Sequence, residues 1–233
     1  ARMEQKQKEL YQAHAQRLAL MLQNQTEEEF ADSRLQVLSE LTRLRQLCCD
    51  PALVYENYEG GSAKLDLCIE LIQSAVESGH KILLFSQFTS MIEILTARLQ
   101  EESISYFVLQ GSTKKEQRAQ MVEQFNRDDT SVFCISLKAG GTGLNLTGAD
   151  IVIHYDPWWN VAVENQATDR AHRIGQKNVV TVYKLIAEGT IEEKIIKLQQ
   201  MKKELAEEIL SGDEIKTASF QREELLALLE ERF

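Results

Sequence analysis

Proline and long apolar runs are scarce in this sequence. Only Pro51 and Pro157 occur among its 233 residues, which argues against long disordered linkers and favours continuous helices and strands. No run reaches the roughly 18 apolar residues that a membrane-spanning helix requires. The first residues are charged and polar and contain no apolar signal-peptide region. We therefore expect no membrane-spanning segment and no membrane partner.

The four cysteines lack the spacing of a metal site. Cys48 and Cys49 are adjacent and have no Cys-x-x-Cys pair, while Cys68 and Cys134 stand in apolar helix or strand patterns. We interpret all four as reduced thiols of the protein core, as is usual in cytosolic proteins. No metal site is predicted in this chain.

Two common phosphate-binding patterns are also missing. The G-x-x-x-x-G-K-[ST] loop occurs nowhere in the chain, and the glycine-rich stretch at 139–143 does not have the G-x-G-x-x-G spacing of dinucleotide-binding domains. Tight nucleotide binding by this chain alone is therefore not expected.

The acidic charge does not decide the partner. A net charge of −10 weighs against a nucleic-acid-binding protein, because such domains are usually basic. Many acidic residues, however, lie in the predicted terminal helices. They include Glu27–Glu29, Glu192–Glu193, Glu207–Glu208, Glu223–Glu224 and Glu230–Glu231. A basic groove elsewhere on the surface is compatible with this distribution.

Both ends of the chain are predicted to be helical. In residues 1–60, apolar residues recur at helical spacing, and Thr26 with Glu29 has the pattern of a capping box. The two apolar stripes are Leu10, Leu18, Met21 and Leu22, and Leu35, Leu38, Leu41 and Leu44. Residues 191–233 are predicted to form further helices, at 191–210 and 221–232. We therefore expect helical N- and C-terminal extensions.

Residues 61–190 alternate between short apolar runs and helical periodicity. Strands are predicted at 81–85, 106–109, 132–135, 151–154 and 179–183, and helices at 64–78, 91–101, 114–125 and 161–171. This alternation with short connections predicts an α/β domain, in which helices cover both faces of a mostly parallel sheet.

Polar, glycine and aromatic residues follow four of the predicted strands. The carboxyl ends of parallel strands meet at one edge of the sheet, where ligands bind in open α/β folds. Lys138 and the glycine-rich loop after it can cradle a phosphate, although a plain turn explains the glycines equally well. Ser112 and Thr113 are expected to cap the next helix. The four loops are 86–89, 110–113, 136–143 and 156–160.

Arg170 and Arg173 are the most informative pair in the chain. They are three residues apart and follow Gln166, so a helix would place all three on one face. Arginine stays charged at any working pH, and its planar fork matches phosphate oxygens. Two such forks suit phosphoryl transfer, whereas ordinary surface ion pairs would explain Arg-x-x-Arg alone. His172 is interpreted as a structural hydrogen-bonding residue.

Five motifs follow one another along the chain. They are Ile82–Phe88, Leu109–Thr113 with Arg118 and Phe125–Asn126, Leu137–Leu146, Asp156–Asn160, and Asp169–Gln176. Together they resemble the C-terminal motor lobe of a Swi/Snf-type ATPase of helicase superfamily two, over about residues 41–210. Val161 departs from the resemblance, because the family usually has proline at this position, and only the entry to a helix is affected.

The resemblance implies a RecA-like lobe at 61–190 that works only beside an N-terminal RecA-like lobe. That first lobe would carry the P-loop and the Asp-Glu box that hold ATP and Mg²⁺. Neither occurs here, since Asp213–Glu214 follows no predicted strand. The chain alone would then be inactive. Its helices at 1–60 would lead into the lobe, and those at 191–233 would either brace the two lobes or pack on their own domain.

The resemblance also implies roles for individual residues. Arg170 and Arg173 would be arginine fingers that reach the γ-phosphate, and Gln166 would position the nucleotide or the attacking water. The nucleotide site would be coupled to DNA by Gly141, Thr142 and Gly143. The DNA backbone would be contacted by Ser86, Gln87, Gly111, Ser112, Lys138 and Trp158.

The implied partners are double-stranded DNA and a DNA-bound protein that is remodelled. The protein would act in the cytoplasm or nucleoid of a bacterium or archaeon, or in the nucleus of a eukaryote. Three other functions are compatible with parts of the sequence. They are an RNA or strand-separating helicase of the same superfamily, a nucleotide- or sugar-binding α/β domain that needs no second lobe, and a scaffold whose acidic helices bind a protein.

Overall fold

A computed structural model describes residues 1–137, 144–173, 175–208 and 222–230. The chain divides into two compact units. The sheet unit contains residues 63–186 together with Ala1, and the helical unit contains residues 2–62 and 187–233. The predicted glycine-rich loop, including Lys138, Gly141, Thr142 and Gly143, lies outside the described residues, as does Asp213–Glu214.

The sheet unit is built on five parallel strands. They are β1 (Ile82–Ser86), β2 (Tyr106–Leu109), β3 (Val132–Ser136), β4 (Ile151–His154) and β5 (Thr181–Lys184), in the order β2-β3-β1-β4-β5. Every neighbouring pair is parallel. The predicted α/β class and parallel sheet are confirmed. Because β1 is central and all strands point the same way, their carboxyl ends share one edge.

Helices cover both faces of this sheet, as predicted. They are α3 (Ala63–Glu77), α4 (Thr89–Glu101), α5 (Lys115–Arg127) and α6 (Val161–Thr168). On one face, Leu83 and Phe85 of β1 pack with Phe125 of α5 and Ala167 of α6. Side chains alternate along a strand, so Ile82 and Leu84 of β1 face the opposite side. That side is covered by α3, whose Leu71 and Ala75 line a groove with Ile151 and Ile153, and by α4, which packs on β1 and β3.

The helical unit contains α1 (Gln5–Gln23), α2 (Glu27–Cys49), a short 3-10 helix (Pro51–Leu53), α7 (Ile191–Glu208) and α8 (Arg222–Glu230). The predicted capping box is confirmed, because Thr26 Oγ1 accepts from Glu29 N at 3.3 Å and Glu29 Oε2 accepts from Thr26 N at 2.8 Å. Glycine and proline are absent from both long helices, so nothing in their sequence interrupts them.

The second predicted stripe is only half right. Leu41 and Leu44 are buried, but Leu35 and Leu38 are 84% and 55% exposed. The buried face of α2 instead runs through Val37 and continues to Cys48, and Leu35 and Leu38 lie off this face.

All four cysteines are buried and free of disulfides. Burial raises the pKa of Cys134 to about 12, so this thiol stays protonated. Among the described residues, no helix combines the length and the apolar character that crossing a membrane requires.

Candidate functional site

The two arginines lie in a turn rather than on a helix. Helix α6 ends at Thr168, so the prediction of one helical face for Gln166, Arg170 and Arg173 is wrong. Gln166 remains on α6 and is exposed, while both arginines belong to the following turn. The α-helix ends here because its backbone hydrogen bonds give way to tighter turn bonds, such as that from Ala171 N to Thr168 O at 3.1 Å. In addition, the Arg170 carbonyl accepts a hydrogen bond from Leu146 N at 3.0 Å instead of one from its own helix.

The arginines differ sharply in exposure. Arg170 is only 4% exposed, and its Cζ lies 5.7 Å from the centre of the Phe85 ring. Burial and the nearby charge of Arg173 lower the pKa of Arg170 to about 10, so it stays a cation at neutral pH. Arg173 is exposed, and its Nε donates to the Asp169 carbonyl at 3.2 Å. One cation is therefore held inside the lobe and the other is presented at its surface.

His154 contacts the same phenylalanine ring as Arg170. Its ring stacks on Phe85 at 5.5 Å, and its Nε2 lies 3.0 Å from Thr168 Oγ1 at the end of α6. Burial lowers the pKa of His154 to about 4, so the ring is neutral at pH 7. This buried neutral ring therefore joins β4 to the last residue of α6.

Glu164 anchors the loop that follows β4. This carboxylate is 1% exposed, and its Oε2 accepts from Lys184 Nζ at 2.6 Å. Its Oε1 accepts from the backbone N of Trp158, also at 2.6 Å. The Trp158 side chain is half-buried. At the start of α6, Asn160 Oδ1 accepts from Ala162 N at 3.0 Å, so the helix begins at Val161 without the proline usual in the family.

The last residue of β1 and the residue after it are turned inwards. Ser86 is completely buried and donates its hydroxyl to Asp156 Oδ1 at 2.6 Å, and the Gln87 N–H lies 3.3 Å from both oxygens of that carboxylate. Asp156 is itself completely buried. The Asp156 carboxylate therefore holds the Ser86 hydroxyl and the Gln87 backbone N–H inside the protein, and DNA contact by these two residues stays a prediction.

The residues after β2 have the opposite arrangement. Gly111 and Ser112 are both exposed. Their loop is held from below by Arg118, which donates to the carbonyls of Thr113 at 2.8 Å and Gly111 at 3.1 Å. The predicted cap is wrong: the residue before α5 is Lys114, which makes no side-chain cap, and Thr113 Oγ1 accepts from Gln110 N instead.

Three residues that shape the site were not predicted as site residues. Asp156 belonged to a recognised motif, so its position directly after an apolar strand was an available signal. Glu164 looks in sequence like any acidic residue of a surface helix. Gln176, at the end of the arginine motif, donates its amide to three carbonyls of the fold.

Comparisons with known proteins identify the family and the fold. The helicase conserved C-terminal domain family matches residues 63–175. The Swi2/Snf2 ATPase C-terminal domain of Sulfolobus solfataricus has 32% identity and a TM-score of 0.73, over 91% of this chain and 87% of that domain. The chain belongs to the Swi2/Snf2 ATPase family. It corresponds to the C-terminal lobe, and the predicted RecA-like fold is thereby confirmed.

Other Swi2/Snf2 relatives are much longer than this chain. An uncharacterised ATP-dependent helicase of Mycoplasma pneumoniae is 44% identical over 85% of this chain and 19% of its own length. The human chromatin-remodelling ATPase INO80 is 43% identical over 72% of this chain and 11% of its own length. The S. solfataricus ATPase core in complex with double-stranded DNA gives a TM-score of 0.75 at 33% identity, over 90% of this chain and 44% of that one. The chain thus spans about a fifth or less of the curated relatives.

Proposed function

We propose that this chain is the second motor lobe of an ATP-driven translocase that moves along double-stranded DNA and remodels protein–DNA complexes. The observation that carries the proposal is the single turn that holds a buried Arg170 and an exposed Arg173. A fixed cation and a reachable one suit a phosphate that arrives from another lobe, because arginine pairs with phosphate oxygens in a planar, two-pronged geometry.

The arginines would act as fingers across a cleft. Arg173 would gain charge-assisted bonds to the γ-phosphate only when the lobes close on ATP, and hydrolysis would remove them. Arg170, held against Phe85, would keep the turn and its charge in place. Gln166, exposed on α6, would position the nucleotide or the attacking water. An arginine finger of this kind contributes roughly 10³–10⁵ in rate.

Contacts to the DNA backbone would come from the shared edge of the sheet. Gly111 and Ser112 are exposed there, and the half-buried Trp158 is held by Glu164. Lys138 would add a cation, and Gly141, Thr142 and Gly143 would couple nucleotide to DNA. Ser86 and Gln87 would act indirectly, through Asp156. The relative from S. solfataricus that was solved with double-stranded DNA supports this partner.

The first lobe of the parent protein would bind ATP and Mg²⁺. The G-x-x-x-x-G-K-[ST] loop that holds nucleotide phosphates does not occur in this sequence. This chain would therefore contribute arginines and DNA contacts and be inactive by itself. Residues 1–60 and 191–233 would form helical flanks of a lobe at 61–190, and the C-terminal helices would brace the two lobes.

The proposal is tested by ATP hydrolysis in the full-length parent protein, with no nucleic acid, with duplex DNA and with single-stranded RNA. We expect duplex DNA to stimulate turnover strongly and Arg173→Ala to lower it by roughly 10³ or more. Arg127→Ala, an exposed arginine at the end of α5, is the matched control and should leave turnover unchanged. Displacement of a third strand from a DNA triplex would then report movement along the duplex.

The outcomes separate the alternatives. Stimulation by RNA alone would replace the proposal with an RNA helicase. Normal turnover in Arg173→Ala would contradict the assignment of Arg173 as an arginine finger. ATP hydrolysis by this chain without the first lobe would contradict the proposal that the chain is inactive by itself.

A further inference from the structure

The backbone at 145–149 is gripped by two amide side chains. Gln176 Nε2 lies within hydrogen-bond distance of three carbonyl oxygens, those of Thr147 at 3.2 Å, Ala149 at 2.7 Å and Ala171 at 3.2 Å, and its two N–H groups are shared among them. Its Oε1 accepts from the backbone N of Asn178 at 2.9 Å. A single half-buried amide therefore joins the segment before β4 to Ala171 in the arginine turn and to Asn178 after it.

Asn126, at the end of α5, holds the same segment from another side. Its Nδ2 donates to the Asn145 carbonyl at 2.8 Å, and its Oδ1 accepts from the Gly148 N–H at 2.9 Å. The approach is close: a Cβ on Gly148 would lie 3.0 Å from both Cα and Oδ1 of Asn126. A larger residue at this position would require Asn126 or the segment to shift by a few tenths of an ångström.

The gripped segment touches the arginine turn directly. Leu146 is completely buried, and its N–H donates to the Arg170 carbonyl at 3.0 Å. The segment also follows the predicted glycine-rich stretch 139–143 in the chain. A displacement of the segment would therefore move Arg170, through the hydrogen bond from Leu146. It would also move the end of the arginine turn, through the Gln176 amide.

We propose that Gln176 and Asn126 are positioning residues: Gln176 locks segment 145–149 to the arginine turn, Asn126 holds the same segment on α5, and together they keep Arg173 in register for phosphoryl transfer. The proposal rests on the proposed function, in which Arg173 is a finger. A finger that moves by about 1 Å loses roughly 10²-fold in rate, because the group no longer meets the charge that develops in the transition state. Neither amide touches the nucleotide in this scheme, so ATP binding should survive their loss.

The test uses Gln176→Glu in the full-length parent protein. Glutamate has the same shape, but its ionised carboxylate cannot donate to the three carbonyls. We expect the kcat for ATP hydrolysis with saturating duplex DNA to fall by roughly 10²-fold, with KM for ATP within about threefold of wild type. Protonation supplies one O–H donor, so the activity of this variant relative to wild type should rise as pH falls.

Controls separate positioning from general damage. Gln100→Glu makes the same change at an exposed position of α4 and should leave kcat unchanged. Hydrogen exchange of peptides covering 144–149 and 169–176 should become faster in Gln176→Glu and stay unchanged in Gln100→Glu. Asn126→Asp, which removes the donor to Asn145, should accelerate exchange at 144–149 and lower kcat in the same direction.

Two results would overturn the proposal. Unchanged exchange at both segments in Gln176→Glu would show that the amide does not hold them. Faster exchange with normal kcat would show that the hold does not matter for turnover. If Arg173→Ala itself retains normal turnover, the finger assignment fails, whereas the exchange data still decide whether the amides lock the segment.

Discussion

The loops that follow β1 and β2 leave the same edge of the same sheet, yet one is closed and the other is open. Ser86 is completely buried against Asp156, whereas Ser112 is exposed on a loop that Arg118 supports from below. Both loops carry small polar residues, and both were predicted to contact DNA. The difference follows from Asp156, a buried carboxylate that comes just after β4, the strand paired with β1.

The arginine pair repeats this contrast within four residues. Arg170 is inside, against Phe85, and Arg173 is outside. Ser86 and Arg170, the buried residues of the two pairs, would each have to lose a contact, with Asp156 or with Phe85, before they could reach a ligand. The exposed members are therefore the stronger candidates for direct contact, and the buried members for holding the site in shape.

The largest expected effect separates the two arginines. Arg170→Ala and Arg173→Ala should each lower ATP turnover of the full-length protein by roughly 10³ or more. Only Arg170→Ala should also lower the free energy of unfolding, by about 2 kcal/mol or more, because it removes a buried side chain packed on Phe85. Urea unfolding of both variants measures this. Equal free energies of unfolding in the two variants would contradict the distinction between a structural Arg170 and an exposed Arg173.

Asp156→Ala should open the closed loop. The Ser86 hydroxyl and the Gln87 N–H would lose a buried acceptor, and we expect the free energy of unfolding to fall by about 4 kcal/mol. Asp129→Ala, an exposed aspartate, is the matched control and should change it by less than about 0.5 kcal/mol. Denaturant titration checks both. A loss below about 1 kcal/mol for Asp156→Ala would mean that the carboxylate does not hold the loop closed.

His154 should make the buried side sensitive to acid. Its pKa is near 4 in the folded protein and near 6.5 when unfolded, so the unfolded chain binds the extra proton between these values. Above pH 6.5 His154 is neutral in both states and does not lower the free energy of unfolding. As the pH drops from 6.5 towards 4, protonation of the unfolded chain lowers that free energy by about 3 kcal/mol. Unfolding curves of wild type and His154→Gln across this range give the difference. Parallel pH profiles of the two proteins would contradict the prediction.

The smallest effect belongs to the open loop. Ser112→Ala should change the free energy of unfolding by less than about 0.5 kcal/mol, since the side chain is exposed. It should weaken binding of the full-length protein to duplex DNA by about 1 kcal/mol, or roughly fivefold, if the hydroxyl contacts a phosphate. Titration of labelled duplex measures the affinity. Unchanged affinity would leave this loop without evidence for a DNA contact.

Much of the architecture was predictable because it depends on local pattern. The apolar runs at β1 to β4 and the helical periods between them are short-range signals, and Thr26 with Glu29 is a capping pattern confined to four residues. Features that depend on distant partners were not predictable in this way. Leu35 and Leu38 fit a helical stripe but lie off the buried face of α2, so that prediction was wrong, and nothing local indicates that Asp156 buries Ser86.

The end of α6 shows the same limit. Residues 161–171 have a helical pattern, but Leu146 takes the Arg170 carbonyl and Gln176 takes that of Ala171, so the last turn of the predicted helix is replaced. The local sequence did not indicate that Gln176 joins two segments, because two of its three acceptors lie 27 and 29 residues away in the chain. The third acceptor lies 5 residues away.

The sequence by itself determined the α/β class, the parallel sheet, the edge that carries the polar loops and the resemblance to a motor lobe, since periodicity and ordered motifs are properties of neighbouring residues. Only the tertiary structure decided which member of each polar pair is buried. Burial depends on which carboxylate, ring or amide another strand brings within hydrogen-bond distance, and Asp156, Phe85 and Gln176 reach their partners only after the sheet has formed.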